Sequence, residues 1–271
     1  HCFFICSREI FVKDILFMKI ENVEQLKKYT TLPIFGEILY SDKAKGTYVV
    51  VDVDPKSTVT ESFRGVRTNL EYMASDVRSK IVLITSHNPG EGKTFCSINL
   101  AAILAKAGKK VLILELDLHK PRVQIALNMQ SDFGVSTILI GKSNVEDTVL
   151  KTQIENMDVV LSGPTPPNAS ELILSAKMQK LFAYGREHYD YVVVDTAPIG
   201  LISDAMILMK YVDAILFVMN AKFATKGFVK EAEEIIKKSK EMNVGLILNG
   251  VKQKRSKYYY NRYGYGYGYG Y

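Results

Sequence analysis

The sequence predicts a doubly wound α/β fold, a mainly parallel sheet with helices on both faces. Three observations carry that expectation. Short continuous apolar runs recur along the chain with helical stretches between them, which is how strands buried on both faces read. One run, Ile81–Thr85, ends in a glycine-rich turn that opens a helix. Others end in acids, Glu115 and Asp117 after Val111–Leu114, and Asp195 after Tyr191–Val194, and the carboxyl ends of strands face the ligand crevice of such a sheet.

With 271 residues, 47% hydrophobic and 24% charged, the chain can hold one large globular domain plus appendages. Cys2, Cys6 and Cys96 are too few and too scattered for a disulfide framework or a zinc site, which fits a reducing compartment. No apolar run reaches the roughly 18 residues of a membrane span. Cys2-Phe3-Phe4-Ile5-Cys6 behind His1 reads as the trailing edge of such a span. The net charge of +6 is concentrated late, at Lys252, Lys254, Arg255, Lys257 and Arg262. That run suits a solvated tail, anionic lipid or nucleic acid.

Taken in order, Phe11, Ile15 and Met18 fall at helical spacing. Asn22 with Gln25 forms a capping box for a short helix, and Leu32–Ile38 is an extended piece entered through Pro33. Ser41–Gly46 reads as a linker. A helix over Glu61–Ala74, capped by Thr60, stacks Glu61, Arg64 and Arg67 along one flank. By spacing alone these three form either a solvated ion-paired face or a contact with a neighbour, since arginine forks suit bidentate pairing.

Ser86-His87-Asn88-Pro89-Gly90-Glu91-Gly92-Lys93-Thr94 follows the first buried strand and opens a helix over Phe95–Ala107. Strand, glycine-rich turn and helix together make a phosphate site. The loop amides and the helix dipole favour an anion, Lys93 reaches the β- and γ-phosphates, and the Thr94 hydroxyl suits Mg²⁺. The strict pattern has glycine where this chain has His87. Cys96, in the same helix, reads as a small core residue beside the nucleotide-binding stretch. Glycine at 108 marks the end of that helix. Strand alternation then places Glu115 and Asp117 on one side, where two carboxylates suit Mg²⁺ and proton acceptance.

Val159–Ser162 is a third strand, followed by the stiff turn Gly163–Asn168 and a helix from Ser170 or Glu171. Asp195 at the tip of the fourth strand suits Mg²⁺. Ala214–Met219 and Gly245–Asn249 are further strands, with a helix over Thr225–Met242 between them. Asn249 suits either a base contact or a turn. The end differs in kind: Tyr258, Tyr259, Tyr260, Tyr263, Tyr265, Tyr267, Tyr269 and Tyr271 place eight of the sixteen tyrosines in the last fourteen residues. Lacking aliphatics, that tail has no core to bury and is expected to be disordered. A row of reachable hydroxyls on an ATP-binding domain suggests a phosphoacceptor.

These pieces resemble the bacterial tyrosine kinases of capsular and exopolysaccharide export, the BY-kinases, over nearly the whole chain. Pro89–Thr94 resembles that family's Walker A motif, Glu115–Pro121 its Walker A′ and Val192–Pro198 its Walker B. Pro167–Leu172 is similar to a further family segment. Glu61-x-x-Arg64-x-x-Arg67 resembles its oligomerisation motif, and the tyrosine cluster is the most specific likeness. The family commonly has Asp where this chain has Glu115, and Arg where it has His119. Residues 8–40 resemble the cytoplasmic tail of the membrane-spanning chain-length regulator that activates these kinases.

The resemblance implies a P-loop NTPase-like fold in three parts: an activator-like segment over 1–45, a kinase domain over 46–251 and the tyrosine-rich tail over 252–271. It implies ATP/ADP and Mg²⁺ as cofactors, with Pro89, Gly90, Glu91, Gly92, Lys93, Thr94, Cys96 and Asn249 around the nucleotide. Thr94, Asp117 and Asp195 would hold the metal, and Glu115 would act as base, with Asp117 as the alternative. The implied partners are further copies in a ring, a transmembrane activator, a tyrosine phosphatase and other tyrosine-phosphorylated proteins of polysaccharide synthesis. The implied location is the cytoplasmic face of the bacterial plasma membrane, and no nucleic acid is expected. The competing reading is a switch ATPase of the ParA/MinD type. Those enzymes place a signature lysine where this chain has Asn88, and they have no use for a tyrosine-rich tail.

Overall fold

A computed structural model describes residues 18–42, 48–73, 80–200, 204–238 and 243–252. The tyrosine cluster, the helical reading of 8–17 and most of the expected linker lie outside the described residues.

Local chemistry sets the first elements. Asn22 caps helix α1 (Val23–Leu26), its side chain accepting from Gln25 N–H at 2.9 Å. The Gln25 side chain accepts from Glu21 N–H at 2.8 Å instead of from Asn22, so the expected box closes one residue early. The proline-led stretch becomes strand β1 (Ile34–Leu39). A one-turn helix, α2 (Val50–Val53), precedes α3 (Thr58–Met73). The cap of α3 is Ser57 and not Thr60. Ser57 Oγ accepts from Thr60 N–H at 3.1 Å, whereas Thr60 is buried in the first turn and its hydroxyl donates to the Asp54 carbonyl at 2.7 Å. Val59, Phe63, Val66 and Leu70 form the apolar stripe that seats this helix.

Next come β2 (Lys80–Ser86), α4 (Lys93–Lys106), β3 (Val111–Glu115), α5 (Val123–Ala126), α6 (Val135–Ile140), β4 (Leu150–Lys151) and β5 (Met157–Val160). The rest comprises α7 (Ala169–Ile173), α8 (Ala176–His188), β6 (Tyr191–Asp195), α9 (Asp204–Leu208), β7 (Ala214–Asn220), α10 (Lys226–Lys238) and β8 (Asn243–Val251). Gly108, at φ +81°, lies just beyond the end of α4, in the left-handed conformation that glycine adopts without a Cβ penalty.

The strands form one eight-stranded sheet in the order β1-β8-β7-β2-β6-β3-β5-β4. Every neighbouring pair is parallel except β4–β5. Alternation divides each central strand between two cores. Ile81, Leu83, Val192 and Val194 face one cluster; Val82, Ile84, Tyr191 and Val193 face the other. Each such aliphatic side chain stabilises the fold by about 1.5–3 kcal/mol. Helix α4 is buried nearly all round, pressed between the sheet and α2–α3. That is the environment in which a helix with apolar residues on every face is stable.

The segment expected ahead of the kinase domain takes part in this sheet. Strand β1 pairs with β8 from Ile34↔Leu246 to Leu39↔Val251. Upstream, Lys19 bridges Thr225, and Ile20 N–H donates to the Ala224 carbonyl at 2.9 Å. Among the described residues no helix is long and apolar enough to cross a membrane.

Candidate active site

The topology puts one loop at the centre of the carboxyl edge. β2 lies between β6 and β7, and its helix α4 crosses β6 to reach β3. The turn after β2 therefore sits at the switch point where ligands bind in open parallel sheets. Gly90 and Gly92 take φ +81° and +95°, a region that L side chains avoid. A Cβ on Gly92 would also collide with the Asn249 side-chain amide. Gly92 is the N-cap of α4 and has no side chain to spend on the first helical amides, which are the groups that bind a phosphate.

The loop is braced from within and from below. Glu91 is buried, and its carboxylate accepts from Asn88 N–H at 2.8 Å. Burial pushes that carboxyl up from its ordinary range while the Asn88 amide and the nearby His87 pull it back. Asn249 donates its amide to the Glu91 carbonyl at 3.0 Å from near the end of β8. That bond makes Asn249 a support of the phosphate loop. Cys96 is fully buried in the second core cluster, so its thiol packs, and burial raises it far beyond the range in which it would ionise.

Asp195 ends β6 beneath the start of α4. One oxygen accepts from the Thr94 hydroxyl and the other from the Ser97 hydroxyl, each at 2.8 Å. Complete burial raises its carboxyl to about 7, against the downward pull of both hydroxyls and of Lys93. Ser97 was not singled out from sequence. Its signal was there, since residues three apart share a helix face, and Thr94 already pointed at the metal site.

Glu115 and Asp117 part company. Glu115 is fully buried, and its carboxylate accepts from Val123 N–H at 2.6 Å, Ser162 N–H at 3.0 Å and Gln124 N–H at 3.4 Å. It ties the β3 tip to α5 and to the turn after β5. Asp117 accepts from Lys120 N–H at 3.0 Å through a single oxygen. His119 reaches across to Asp204 at 3.1 Å, an acid buried at the start of α9 whose other oxygen has no partner among the described residues. No motif pointed to Asp204.

The residues present fit a magnesium nucleotide. Among the described residues no group of three or more His, Cys, Asp and Glu side chains converges, but Mg²⁺ commonly takes one or two carboxylates and completes its shell with water and phosphate oxygens. Thr94, Asp195 and Asp117 supply hard oxygen donors of that kind, beside a helix N-terminus with unspent amides.

In α3, Arg64 pairs with Glu61 and also donates to the Pro55 carbonyl at 2.9 Å. Arg67 Nε is buried with no hydrogen-bond partner among the described residues.

Comparison with known proteins agrees with this geometry. Residues 79–246 match the family described as an AAA domain. Tyrosine-protein kinase YwqD of Bacillus subtilis is 38% identical over 213 residues, covering 78% of this chain and 90% of YwqD. The kinase domain of Escherichia coli tyrosine kinase ETK superposes with a TM-score of 0.81 at 29% identity, over 93% of this chain and 100% of that one. The septum site-determining protein MinD of Pyrococcus horikoshii, complexed with Mg-ADP, is more distant. Its TM-score is 0.55 at 25% identity, over 66% of this chain and 72% of MinD. A phosphate loop on a parallel sheet, with the Walker acids at its edge and kinases matched nearly end to end, defines the group: this chain belongs to the bacterial tyrosine-protein kinases.

Proposed function

We propose that the protein transfers the γ-phosphoryl group of ATP to tyrosines of its own C-terminal cluster, Tyr258 to Tyr271, and does so in trans. The observation that carries this reading is the Thr94–Asp195–Ser97 cluster under a phosphate loop, in a chain that ends in eight tyrosines. Lys93 and the loop amides bind the phosphates and accommodate the charge that spreads over the γ-oxygens. Thr94, Asp117 and Asp195 would hold Mg²⁺, which offsets phosphate charge when bound.

The acceptor hydroxyl, with an ordinary pKa of about 10, attacks γ-phosphorus as the bond to the ADP oxygen breaks. Asp117 takes the phenolic proton. Burial raises the Glu115 carboxyl, but it is fully enclosed and three backbone amides occupy its oxygens, so it is not placed to meet the phenol; its role is to hold the β3 tip in place. The runner-up, a switch ATPase, is disfavoured by Asn88 at the signature-lysine position, where its amide is held by Glu91 within the loop.

Glu61, Arg64 and Arg67 join subunits into a ring, and the exposure of Glu61 and Arg64 on the flank of α3 supports that role. Each phosphate adds roughly −1.5 to −2 charges, so several on one tail outweigh its five basic residues and open the ring. By family resemblance the enzyme serves polysaccharide polymerisation and export at the cytoplasmic face of the plasma membrane. There it works with a transmembrane activator and a phosphatase.

Intact mass after incubation with ATP and Mg²⁺ tests the reaction. Successive phosphate increments mapping to the tail support the kinase, and released phosphate without added mass supports the ATPase. Mixing a Lys93→Met protein with an active one truncated before Tyr258 tests transfer in trans; unmodified intact tails refute it. For the ring, Arg64→Ala with Arg67→Ala should shift the light-scattering mass to monomer, and an unchanged mass removes that idea.

A further inference from the structure

His87 occupies the position that the phosphate-loop pattern reserves for glycine, and the phosphate chemistry makes no use of its ring. The fold holds that ring on two sides. Its Nε2 lies 3.0 Å from the Glu231 carboxylate of α10, and the imidazole packs on Phe228, one turn earlier on the same helix, at 5.3 Å between centroids. On the other side the chain after β6 closes over it. Gly200 N–H donates to the His87 carbonyl at 3.2 Å. A Cβ on Gly200 would lie 2.6 Å from that carbonyl and 3.0 Å from the ring. Glycine at 200 therefore lets the chain after β6 close on both the backbone and the ring of His87.

Helix α10 is itself anchored. Its Glu233 accepts from the Thr30 hydroxyl at 2.6 Å and from Thr31 N–H at 3.2 Å. At its start Lys226 N–H donates to the Met18 carbonyl at 3.1 Å. The second half of the loop is held by Asn249, and Asn88 in the first half by Glu91 and the Ser86 hydroxyl; the side-chain grip on His87 ties that first half to α10.

We propose that His87 is a positioning residue for nucleotide binding: through Glu231 and Phe228 it braces the first limb of the phosphate loop against helix α10 and so sets affinity for the nucleotide. The proposal rests on the nucleotide-binding part of the function above and not on the identity of the phosphoryl acceptor. A glycine at 87 would leave that limb to be ordered by the ligand, and a site ordered only on binding has a weakened apparent affinity.

The test is the affinity of the intact chain for a fluorescent ADP analogue with Mg²⁺, in His87→Ala, Glu231→Ala and the double variant, with thermal unfolding alongside. Each single change is expected to weaken binding about five-fold and the double no further than either alone, as for two residues acting through one contact. His87→Gln, which keeps an N–H within reach of Glu231, should recover most of the loss. In turnover the change should fall on KM for ATP more than on kcat.

Losses that multiply in the double variant, or an unchanged ADP affinity, overturn the proposal. Glu231 is half exposed, so its variants report even if His87→Ala does not fold. The two readings fail separately: ADP binding is read without phosphorylation, so missing phosphotyrosine removes the kinase mechanism and leaves this inference standing.

Discussion

Replacing Asp195 by Asn removes a fully buried carboxylate whose large upward shift has burial as its leading cause, with nearby Glu115 adding to it. Burial raises it from 3.8 to about 7, although two hydroxyls and Lys93 favour the charged form. In the unfolded chain it titrates near its ordinary value. Between about pH 4 and pH 7 the folded protein therefore binds a proton that the unfolded chain does not. Stability from this group is full below the unfolded pKa and is lost as pH rises through the folded one. Three pH units at about 1.4 kcal/mol each give a loss of about 4 kcal/mol.

Urea unfolding at several pH values between 4 and 8, for wild type and Asp195→Asn, reads this directly. The other titrating groups are common to both proteins, so the difference between the curves isolates Asp195. The variant should gain on wild type by about 4 kcal/mol from pH 4 to 7 and by nothing further above that. Added Mg²⁺ and ADP should stabilise wild type at pH 8 and leave the variant nearly unmoved. Parallel curves across the whole range would refute the reasoning, because they would mean that Asp195 folds with an ordinary carboxyl.

Three further outcomes follow from the loop and its supports. Asn249→Ala leaves the Glu91 carbonyl without its buried donor, which should cost about 1–3 kcal/mol in thermal unfolding and weaken ADP binding. Gly92→Ala forces a side chain to φ +95° and into Asn249. It should abolish ADP binding, whereas Gly65→Ala, in an exposed helical turn with open space around it, should stabilise by about 0.5–1 kcal/mol. Glu115→Gln disturbs the acceptor for three buried amides and should cost about 1.5–3 kcal/mol. Below its melting point it should keep phosphorylating tyrosine, whereas Asp117→Asn should not; the reverse pattern by phosphotyrosine blot would restore Glu115 as the base.

What could be read from the sequence was local. An apolar run, two glycines and Lys93-Thr94 define β2, the loop and α4 within a span of about thirty residues, because strand burial, left-handed φ and helix initiation are all properties of near neighbours. Errors arose where two local signals competed. Ser57 and Thr60 are both good caps, and only the burial of Val59 and Phe63 decides that the helix starts early enough for Thr60 to fall inside it. The stretch after Pro33 was legible as extended, but nothing in it says that it pairs with β8.

Alternation along β3 put Glu115 and Asp117 together, and the fold gives them different partners. The turns carrying Ser162 and Val123 come back over Glu115 and take its charge into their own amides.

By itself, then, the sequence determined the fold class, the phosphate loop and the acids that end its strands, because periodicity and glycine position are written in consecutive residues. Tertiary structure alone decided the supports of that loop. Asn249 reaches Glu91 from 158 residues away, Asp195 receives the Thr94 hydroxyl from 101 residues away, and His87 finds Glu231 on a distant helix. Each of these contacts depends on which strands lie side by side, and the order β8-β7-β2-β6-β3 is settled by the packing of both faces together rather than by any one stretch of chain.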